Sequence, residues 1–128
     1  MPNLEPIVAV IDDDESVCRS IQRLLRSAGI EAETFSSGAQ FLDTLTSTPS
    51  YRPACVILDI QMPGINGLEV QRRILPMSLP IIVITAYDEM SARQAAMAAG
   101  AMEYLCKPLN GAILIGAVER ALGRQSLD

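Results

Sequence analysis

The segment Ile7–Glu15, with the sequence IVAVIDDDE, decides the fold because an apolar run here leads directly into four acidic residues. Positions 7–11 are all apolar, and the acids at 12–15 follow without a break. Adjacent carboxylates repel one another, so a chain that needed only solubility would disperse them. A hydrophobic strand that ends in clustered carboxylates therefore predicts a functional site at one edge of a sheet.

Short apolar runs alternate with segments of helical period along the whole chain. The runs are 7–11 (IVAVI), 31–35 (EAETF), 54–59 (ACVILD), 81–85 (IIVIT) and 102–106 (MEYLC). Candidate helices lie near 15–28, 38–46, 67–75, 89–99 and 111–122. This order predicts an α/β fold with a five-stranded parallel sheet and helices on both faces. The run 31–35 alternates polar and apolar residues, which is typical of an edge strand, whereas three runs are apolar at nearly every position.

Local signals agree with these boundaries. Gly29 and Gly100 follow the first and fourth helical segments, at the position where a left-handed residue commonly ends a helix. Ser37, with Gln40 three residues later, has the form of a capping box. The link before the fourth strand is short and rich in proline, so we expect the third helix or its loop to be trimmed.

Size and composition indicate one globular domain. The chain has 128 residues, of which 49% are apolar and 20% are charged. We expect a single domain over residues 1–128, with its folded core at about 6–123 and a frayed tail, RQSLD. The 10 basic and 15 acidic residues give a net charge of -5, which argues against direct nucleic acid binding.

The sequence has no targeting or membrane signal that we can identify. Its N-terminus lacks the basic start and apolar stretch of a signal peptide, and no apolar run approaches the roughly 20 residues that span a bilayer. We therefore predict a cytoplasmic protein with no membrane partner. Cys18, Cys55 and Cys106 form no C-x-x-C pair, so we expect free, packed thiols. The chain contains no histidine, which excludes a phosphohistidine relay on this chain.

The residues that follow the strands form a chemically coherent set. Asp12 and Asp13 follow the first strand, Asp59 ends the third, Thr85 ends the fourth, and Lys107 follows the fifth. In open α/β sheets the carboxyl ends of the strands meet at one edge, where ligands bind. Two like charges about 4 Å apart repel by roughly 4 kcal/mol at an effective dielectric of 20, so three carboxylates here need a cation. Lys107 provides one charge, and the remaining excess favours Mg2+ with oxygen ligands.

Pro108 directly follows this lysine. A peptide bond before proline adopts the cis form far more readily than any other, so Lys107–Pro108 is a candidate cis bond. A simple break between strand and helix is the other interpretation.

Four segments together resemble the response-regulator receiver domain, the phosphoacceptor half of bacterial two-component signalling. They are VIDDDE (10–15), VILDIQMPGINGLE (56–69), IIVITAYDE (81–89) and AAGAMEYLCKPL (98–109), in the family's order. The pattern is most similar to the FixJ/NarL type, as in GIEAETFSSGAQFL (29–42). The resemblance implies a flavodoxin-like fold with strand order 2-1-3-4-5.

The resemblance also implies roles for individual residues. Asp59 would be the phosphoacceptor, and Lys107 would hold a phosphoryl oxygen. Asp13 would bind Mg2+ directly and Asp12 through water, with Asp59 and the backbone carbonyl of Gln61 as further ligands.

Two residues would form the switch, and two would modulate it. Thr85 would reach towards the phosphoryl group, and Tyr104 would change rotamer in response. Gln61 would position a hydrolytic water, whereas Tyr87 would screen the site from water. The phosphodonor would be a sensor histidine kinase, and the domain would be a switch that assists its own phosphorylation and dephosphorylation rather than an enzyme.

The output surface of the family is formed by helix 4, strand 5 and helix 5. Small residues in MSARQAAMAAGA (90–101), together with Ile115, would make a homodimer or partner contact there, or would simply pack the core. Transcriptional regulation is the expected output by analogy. Whether an effector domain follows is open.

Other classes of protein remain to be distinguished. A Mg2+-dependent phosphohydrolase would use Asp12 as its nucleophile in a D-x-D motif, but Ser16 stands where that motif continues with Thr or Val. An EF-hand loop fails because Val17 stands where the loop needs glycine. A degenerate receiver, acting only as a binding module, is disfavoured because every phosphorylation residue is present.

Overall fold

The computed structural model describes residues 6–124, which contain five strands alternating with five helices. The strands are β1 (Ile7–Ile11), β2 (Glu31–Phe35), β3 (Cys55–Asp59), β4 (Ile81–Thr85) and β5 (Glu103–Cys106). The helices are α1 (Glu15–Ser27), α2 (Gly38–Ser47), α3 (Gly67–Ile74), α4 (Met90–Ala98) and α5 (Gly111–Ala121). Each boundary lies within one residue of its prediction. Residues 125–128 of the predicted tail lie outside the described residues.

The strands form one parallel sheet in the order β2-β1-β3-β4-β5. All residues of β3 and β4 are buried, and in β1 only Ile7 is partly exposed. β2 lies at the edge, where Ala32 and Phe35 point inwards and its other residues are exposed. The predicted flavodoxin-like (βα)5 fold is confirmed.

Helices cover both faces of the sheet. Residues of α1 and α5, such as Leu25 and Leu114, form one apolar layer with alternate residues of β1, β3 and β4. Phe41, Val70 and Ala96, from α2, α3 and α4, belong to the opposite layer. Each fully buried large aliphatic or aromatic side chain contributes about 1.5–3 kcal/mol, so these two layers supply the main driving force for folding.

Side-chain caps begin four of the helices and define where the loops end. The carboxylate of Asp14 accepts hydrogen bonds from the backbone N–H groups of Ser16, at 2.9 Å, and Val17. The Ser16 hydroxyl also donates to Asp14 Oδ1, and this bond, followed by the two backbone bonds, holds the pKa of Asp14 below its usual value. Asp14 thus belongs to the start of α1.

The predicted capping box is only half formed. Ser37 Oγ accepts from the Gln40 backbone N–H at 3.0 Å, as expected. The Gln40 side chain, however, accepts from the backbone N–H of Ser36 rather than that of Ser37. The Gln40 side chain therefore bonds to the residue that precedes the N-cap residue Ser37, and not to Ser37 itself.

Gly67 sets the distance between the start of α3 and the end of β3. A Cβ atom at this position would lie 2.5 Å from the Asp59 carbonyl oxygen and 2.7 Å from Ile60 Cα, both of which are backbone atoms. The Gly67 N–H also donates to the Ile60 carbonyl at 2.9 Å. Only glycine allows this approach, which fixes the loop that carries Asp59.

The third helix is short, as predicted. It ends at Ile74 and is followed by a 3-10 turn, Leu75–Met77, with proline in its first positions. One expectation about the cysteine side chains was wrong. Cys18 and Cys55 are buried, but Cys106 is exposed because it is the last residue of the edge strand β5. Among the large apolar residues of α5, Ile113 is exposed, at 54%, whereas Ile115 is half-buried.

Within residues 6–124, no helix has both the length and the apolar character required to cross a membrane.

Candidate functional site

The predicted site residues meet at the carboxyl edge of the sheet. The parallel register pairs Ile11 with Leu58, Asp59 with Ile84, and Thr85 with Cys106. Asp12 and Lys107, which follow β1 and β5, therefore lie on the same edge as Asp59 and Thr85.

Asp12 is fully buried and is held by one hydrogen bond and one ion pair. Its Oδ1 accepts from the backbone N–H of Asp14 at 2.9 Å, and its Oδ2 lies 2.8 Å from Lys107 Nζ. A buried carboxylate without such partners would be strongly destabilising. The Asp12 carboxylate is therefore already paired with Lys107.

Asp59, only 3% exposed, has a less satisfied carboxylate. Its Oδ1 lies 3.7 Å from Lys107 Nζ and accepts a long hydrogen bond, 3.4 Å, from the Gln61 backbone N–H. Burial, and then the neighbouring charge of Asp12, raise the pKa of Asp59 to about 6, although Lys107 acts in the opposite direction. The environment therefore disfavours the ionised carboxylate unless another positive charge is present.

Asp13 completes a cluster of three carboxylates. Oxygen atoms of Asp12, Asp13 and Asp59 all lie within 4.8 Å of one another, and Asp13 is exposed to solvent. Burial acts to lower the pKa of Lys107, but the hydrogen bond to Asp12 and the surrounding carboxylates raise it overall. One ammonium group cannot neutralise three carboxylates, and an all-oxygen set suits a hard divalent cation. The cluster could hold a metal ion.

Thr85 is buried, and its hydroxyl is engaged by the loop that follows β4. Thr85 Oγ1 donates to the Tyr87 carbonyl at 3.0 Å and accepts from the Tyr87 N–H at 3.1 Å. Tyr87 is 61% exposed. In this arrangement the threonine hydroxyl stabilises its own loop.

Tyr104 is buried, with 8% of its surface exposed, and packs in the core layer that contains Ala96 and Ala101. Its Oη makes no hydrogen bond of normal geometry among residues 6–124. Burial, followed by the charge of Asp88, raises the pKa of Tyr104, although the neighbouring Thr85 hydroxyl acts to lower it. The guanidinium of Arg93 lies over the ring, 5.5 Å from its centroid. The sequence did not single out Arg93, because nothing in its spacing marks a contact between α4 and β5.

Two further predicted residues adjoin the pocket. The side chain of Gln61 is exposed, and its backbone N–H points to Asp59; its carbonyl as a metal ligand remains a prediction. The Lys107–Pro108 peptide bond is cis.

Residues 8–119 match the family described as the response regulator receiver domain, and the chain belongs to that family. Members of this family are signalling switches of two-component systems. A response regulator receiver protein from Burkholderia phymatum has 56% sequence identity and a TM-score of 0.88, over 95% of this chain and 98% of its own.

Two curated relatives carry further names. The transcriptional regulatory protein FixJ of Azorhizobium caulinodans is 38% identical over an alignment of 128 positions, which covers 98% of this chain and 59% of FixJ. The response regulator protein TmoT of Ectopseudomonas mendocina is 33% identical over an alignment of 124 positions, which covers 95% of this chain and 55% of TmoT. The chain thus spans little more than half the length of these relatives.

Proposed function

We propose that this chain is a phosphorylation-activated switch in which Asp59 accepts a phosphoryl group from a sensor histidine kinase. The observation that carries the proposal is the position of Asp59, buried at the end of β3, with Lys107 Nζ at 3.7 Å and two more carboxylates within 4.8 Å. Residues 6–123 would act as a single phosphoacceptor module. These 128 residues contain no histidine, so the phosphoryl group must come from a histidine outside them or from a small phosphorylated molecule.

Mg2+ is the metal that suits the cluster. Asp13 is the natural direct ligand because it is exposed and borders the cluster, whereas Asp12 is already paired with Lys107 and would act through water. Asp59 and the Gln61 carbonyl would complete the protein ligands. When bound, Mg2+ supplies the positive charge that offsets the carboxylates and the incoming phosphoryl oxygens.

Asp59 would act as the nucleophile without a general base. An Asp59 oxygen forms the new P–O bond as the P–N bond of the phosphohistidine breaks, and the departing imidazole keeps the electron pair and takes up a proton. Above a pH of about 6 the Asp59 carboxylate is mainly ionised. Lys107 is near enough to bind a phosphoryl oxygen once the group lies on Asp59. Phosphoryl transfer depends mostly on such positioning and charge neutralisation.

Phosphorylation would alter the loop after β4 through Thr85. An aspartyl phosphate carries strong acceptor oxygens that compete with the Tyr87 carbonyl for the Thr85 hydroxyl. When Thr85 turns to the phosphoryl group, its two hydrogen bonds to Tyr87 are lost and the loop can move. Tyr104, whose Oη makes no hydrogen bond of normal geometry within residues 6–124, would then change rotamer into the space that the loop vacates.

The output surface would be formed by α4, β5 and α5. Exposed apolar side chains lie there, namely Met90, Met97, Met102 and Ile113. We propose that phosphorylation changes how this surface binds a second copy or an output partner. Transcriptional regulation is the proposed output, because the relatives named above include a transcriptional regulatory protein. The net charge of -5 argues that nucleic acid is not bound by this domain itself.

The alternative, a Mg2+-dependent phosphohydrolase with Asp12 as nucleophile, has less support. Asp12 is fully buried, and each of its oxygens has a partner, Asp14 N–H for one and Lys107 for the other. A nucleophile in that state would first have to break an ion pair.

Intact mass spectrometry tests the two functions together. With a small phosphodonor such as acetyl phosphate and Mg2+, the chain should gain the mass of one phosphoryl group, and Asp59→Asn should abolish the gain. Asp14→Asn, which keeps a good N-cap residue for α1, should leave it intact. Turnover of a phosphomonoester that is lost in Asp12→Asn would instead favour the phosphohydrolase.

A further inference from the structure

The two ends of α4 differ in how closely they pack against the rest of the domain. Among its residues only Ala96, near the C-terminal end, is buried, whereas Met90 at the N-terminal end is 71% exposed. Ala92 is partly buried against the core, and the remaining side chains of the helix are exposed.

The C-terminal end is held by a dense set of hydrogen bonds. The Ala101 N–H donates to the Ala96 carbonyl, and the Gly100 N–H donates to the Met97 carbonyl, both at 3.0 Å. This is the Schellman arrangement, with Gly100 in the left-handed region at φ 100°. A third donor comes from another helix, because Gln71 Nε2 of α3 donates to the same Ala96 carbonyl at 3.1 Å.

Gln71 is an uncommon residue for its place. It is fully buried, and its Oε1 has no hydrogen-bond partner among residues 6–124. Burying an amide with one half unsatisfied is unfavourable, and an apolar side chain of the same size would avoid that cost. A side chain that only filled space could not form the hydrogen bond that Gln71 makes to the Ala96 carbonyl.

The N-terminal end, in contrast, is held by contacts that can be released. Glu89, the N-cap residue, makes no side-chain cap, and the first turn carries no acidic residue. The side chain of Arg93 lies over the Tyr104 ring, so this contact depends on the position of that ring. The helix follows directly on the loop in which Thr85 holds Tyr87.

We infer that Gln71 is a positioning residue of the switch, which pins the C-terminal end of α4 so that phosphorylation displaces the N-terminal end alone. This inference rests on the proposed phosphorylation of Asp59. The signal reaches α4 through the Thr85–Tyr87 loop and through Tyr104, and the helix turns about the bond between Gln71 and Ala96. The surface around Met90 and Arg93 then changes, and the surface around residues 98–100 stays in place.

Amide hydrogen exchange of the whole chain, with and without acetyl phosphate and Mg2+, tests this inference. In the parent chain, phosphorylation should change exchange over 86–93 and leave 96–101 unchanged. In Gln71→Met the phosphorylation-dependent change should extend to residues 96–101. Phosphorylation should make exchange there about tenfold faster, which is the effect expected from one lost hydrogen bond. Gln94→Met, the same substitution at an exposed glutamine of α4, should behave as the parent.

The possible outcomes separate clearly. If Gln71 were merely structural, Gln71→Met would accelerate exchange equally with and without the phosphodonor, and the inference would be overturned. An equal change along the whole of α4 in the parent chain would also overturn it, even if Gln71→Met and a second variant, Gln71→Leu, failed to fold. The mass of the same samples reports phosphorylation, so a chain that gains no phosphoryl group would contradict the proposed function itself.

Discussion

Lys107 Nζ lies 2.8 Å from Asp12 Oδ2 and forms the tightest charge pair of the pocket. Asp12 is fully buried, and the Lys107 side chain is 19% exposed, so water screens this pair only weakly. The same ammonium lies 3.7 Å from Asp59 Oδ1. One cation therefore links the end of β1 to the end of β3, and this arrangement sets both the stability of the metal-free protein and the charge available to an incoming phosphoryl group.

Replacing Lys107 by Met is expected to destabilise the fold by about 3 kcal/mol at neutral pH, because it leaves a buried carboxylate without its partner. The same change should slow phosphorylation strongly. Urea unfolding and the rate of mass gain with acetyl phosphate measure the two effects.

The matched control is Arg120→Met, which removes an exposed ion pair with Glu103 at 3.2 Å. Such surface pairs contribute only about 0–1 kcal/mol. Equal destabilisation by the two substitutions would show that burial of the Lys107 pair has no special effect.

The pKa of Asp59 predicts a pH-dependent stability in the absence of metal. Its value of about 6 in the folded protein exceeds the ordinary 3.8, so the folded state binds this proton more tightly than the unfolded state. The free energy of unfolding should therefore fall as pH rises through this interval, with the full penalty present above a pH of about 6. Asp59→Asn carries no such penalty.

We expect the melting temperature of Asp59→Asn to exceed that of the parent at pH 7.5 without metal. The difference should shrink as pH is lowered through about 6. Asp43→Asn, at an exposed position of α2, should show no such trend. A constant difference from pH 4 to pH 8 would mean that Asp59 does not titrate in this interval.

Mg2+ binding should depend on Asp13 more than on the integrity of the fold. Asp13 is exposed, so Asp13→Asn should leave the metal-free melting temperature almost unchanged, but it should weaken Mg2+ binding by about tenfold or more. Lys107 is the only lysine of the chain, so labelling with 13C-lysine gives one side-chain signal inside the site. Titration with Mg2+ should shift that signal in the parent and in Asp14→Asn. A parent signal that does not respond would argue against a metal at this cluster.

Tyr87 is expected to protect the aspartyl phosphate from water. Tyr87 is 61% exposed and lies two residues after Thr85, with which its backbone forms hydrogen bonds. Tyr87→Ala should shorten the lifetime of the phosphorylated form several-fold, measured as loss of the added mass after removal of the phosphodonor. Gln61→Ala, which removes the candidate for positioning water, should lengthen it. An unchanged lifetime in Tyr87→Ala would remove that residue from the role.

Sequence patterns predicted the sheet and the site for a clear physical reason. Parallel strands end at the same edge, so residues such as Asp59 and Lys107 can be assigned to one place without knowledge of side-chain packing. The structure then separates the two acids after β1 from Asp14, whose side chain caps α1.

Contacts between helices were not predictable in the same way. Gln71 looks like a surface residue of an amphipathic helix, and only the packing of α3 against α4 reveals that it is buried. The contact of Arg93 with Tyr104 depends on side-chain conformations. The exposure of Cys106 follows from its place at the end of an edge strand, which the apolar character of that run conceals.

The most direct test of the central claim is the intact mass of the chain after incubation with acetyl phosphate and Mg2+. We predict a gain of one phosphoryl group in the parent and in Asp14→Asn, and none in Asp59→Asn or when Mg2+ is removed by a chelator. A gain that persists in Asp59→Asn, or a parent chain that gains nothing, would contradict the assignment of Asp59 as phosphoacceptor.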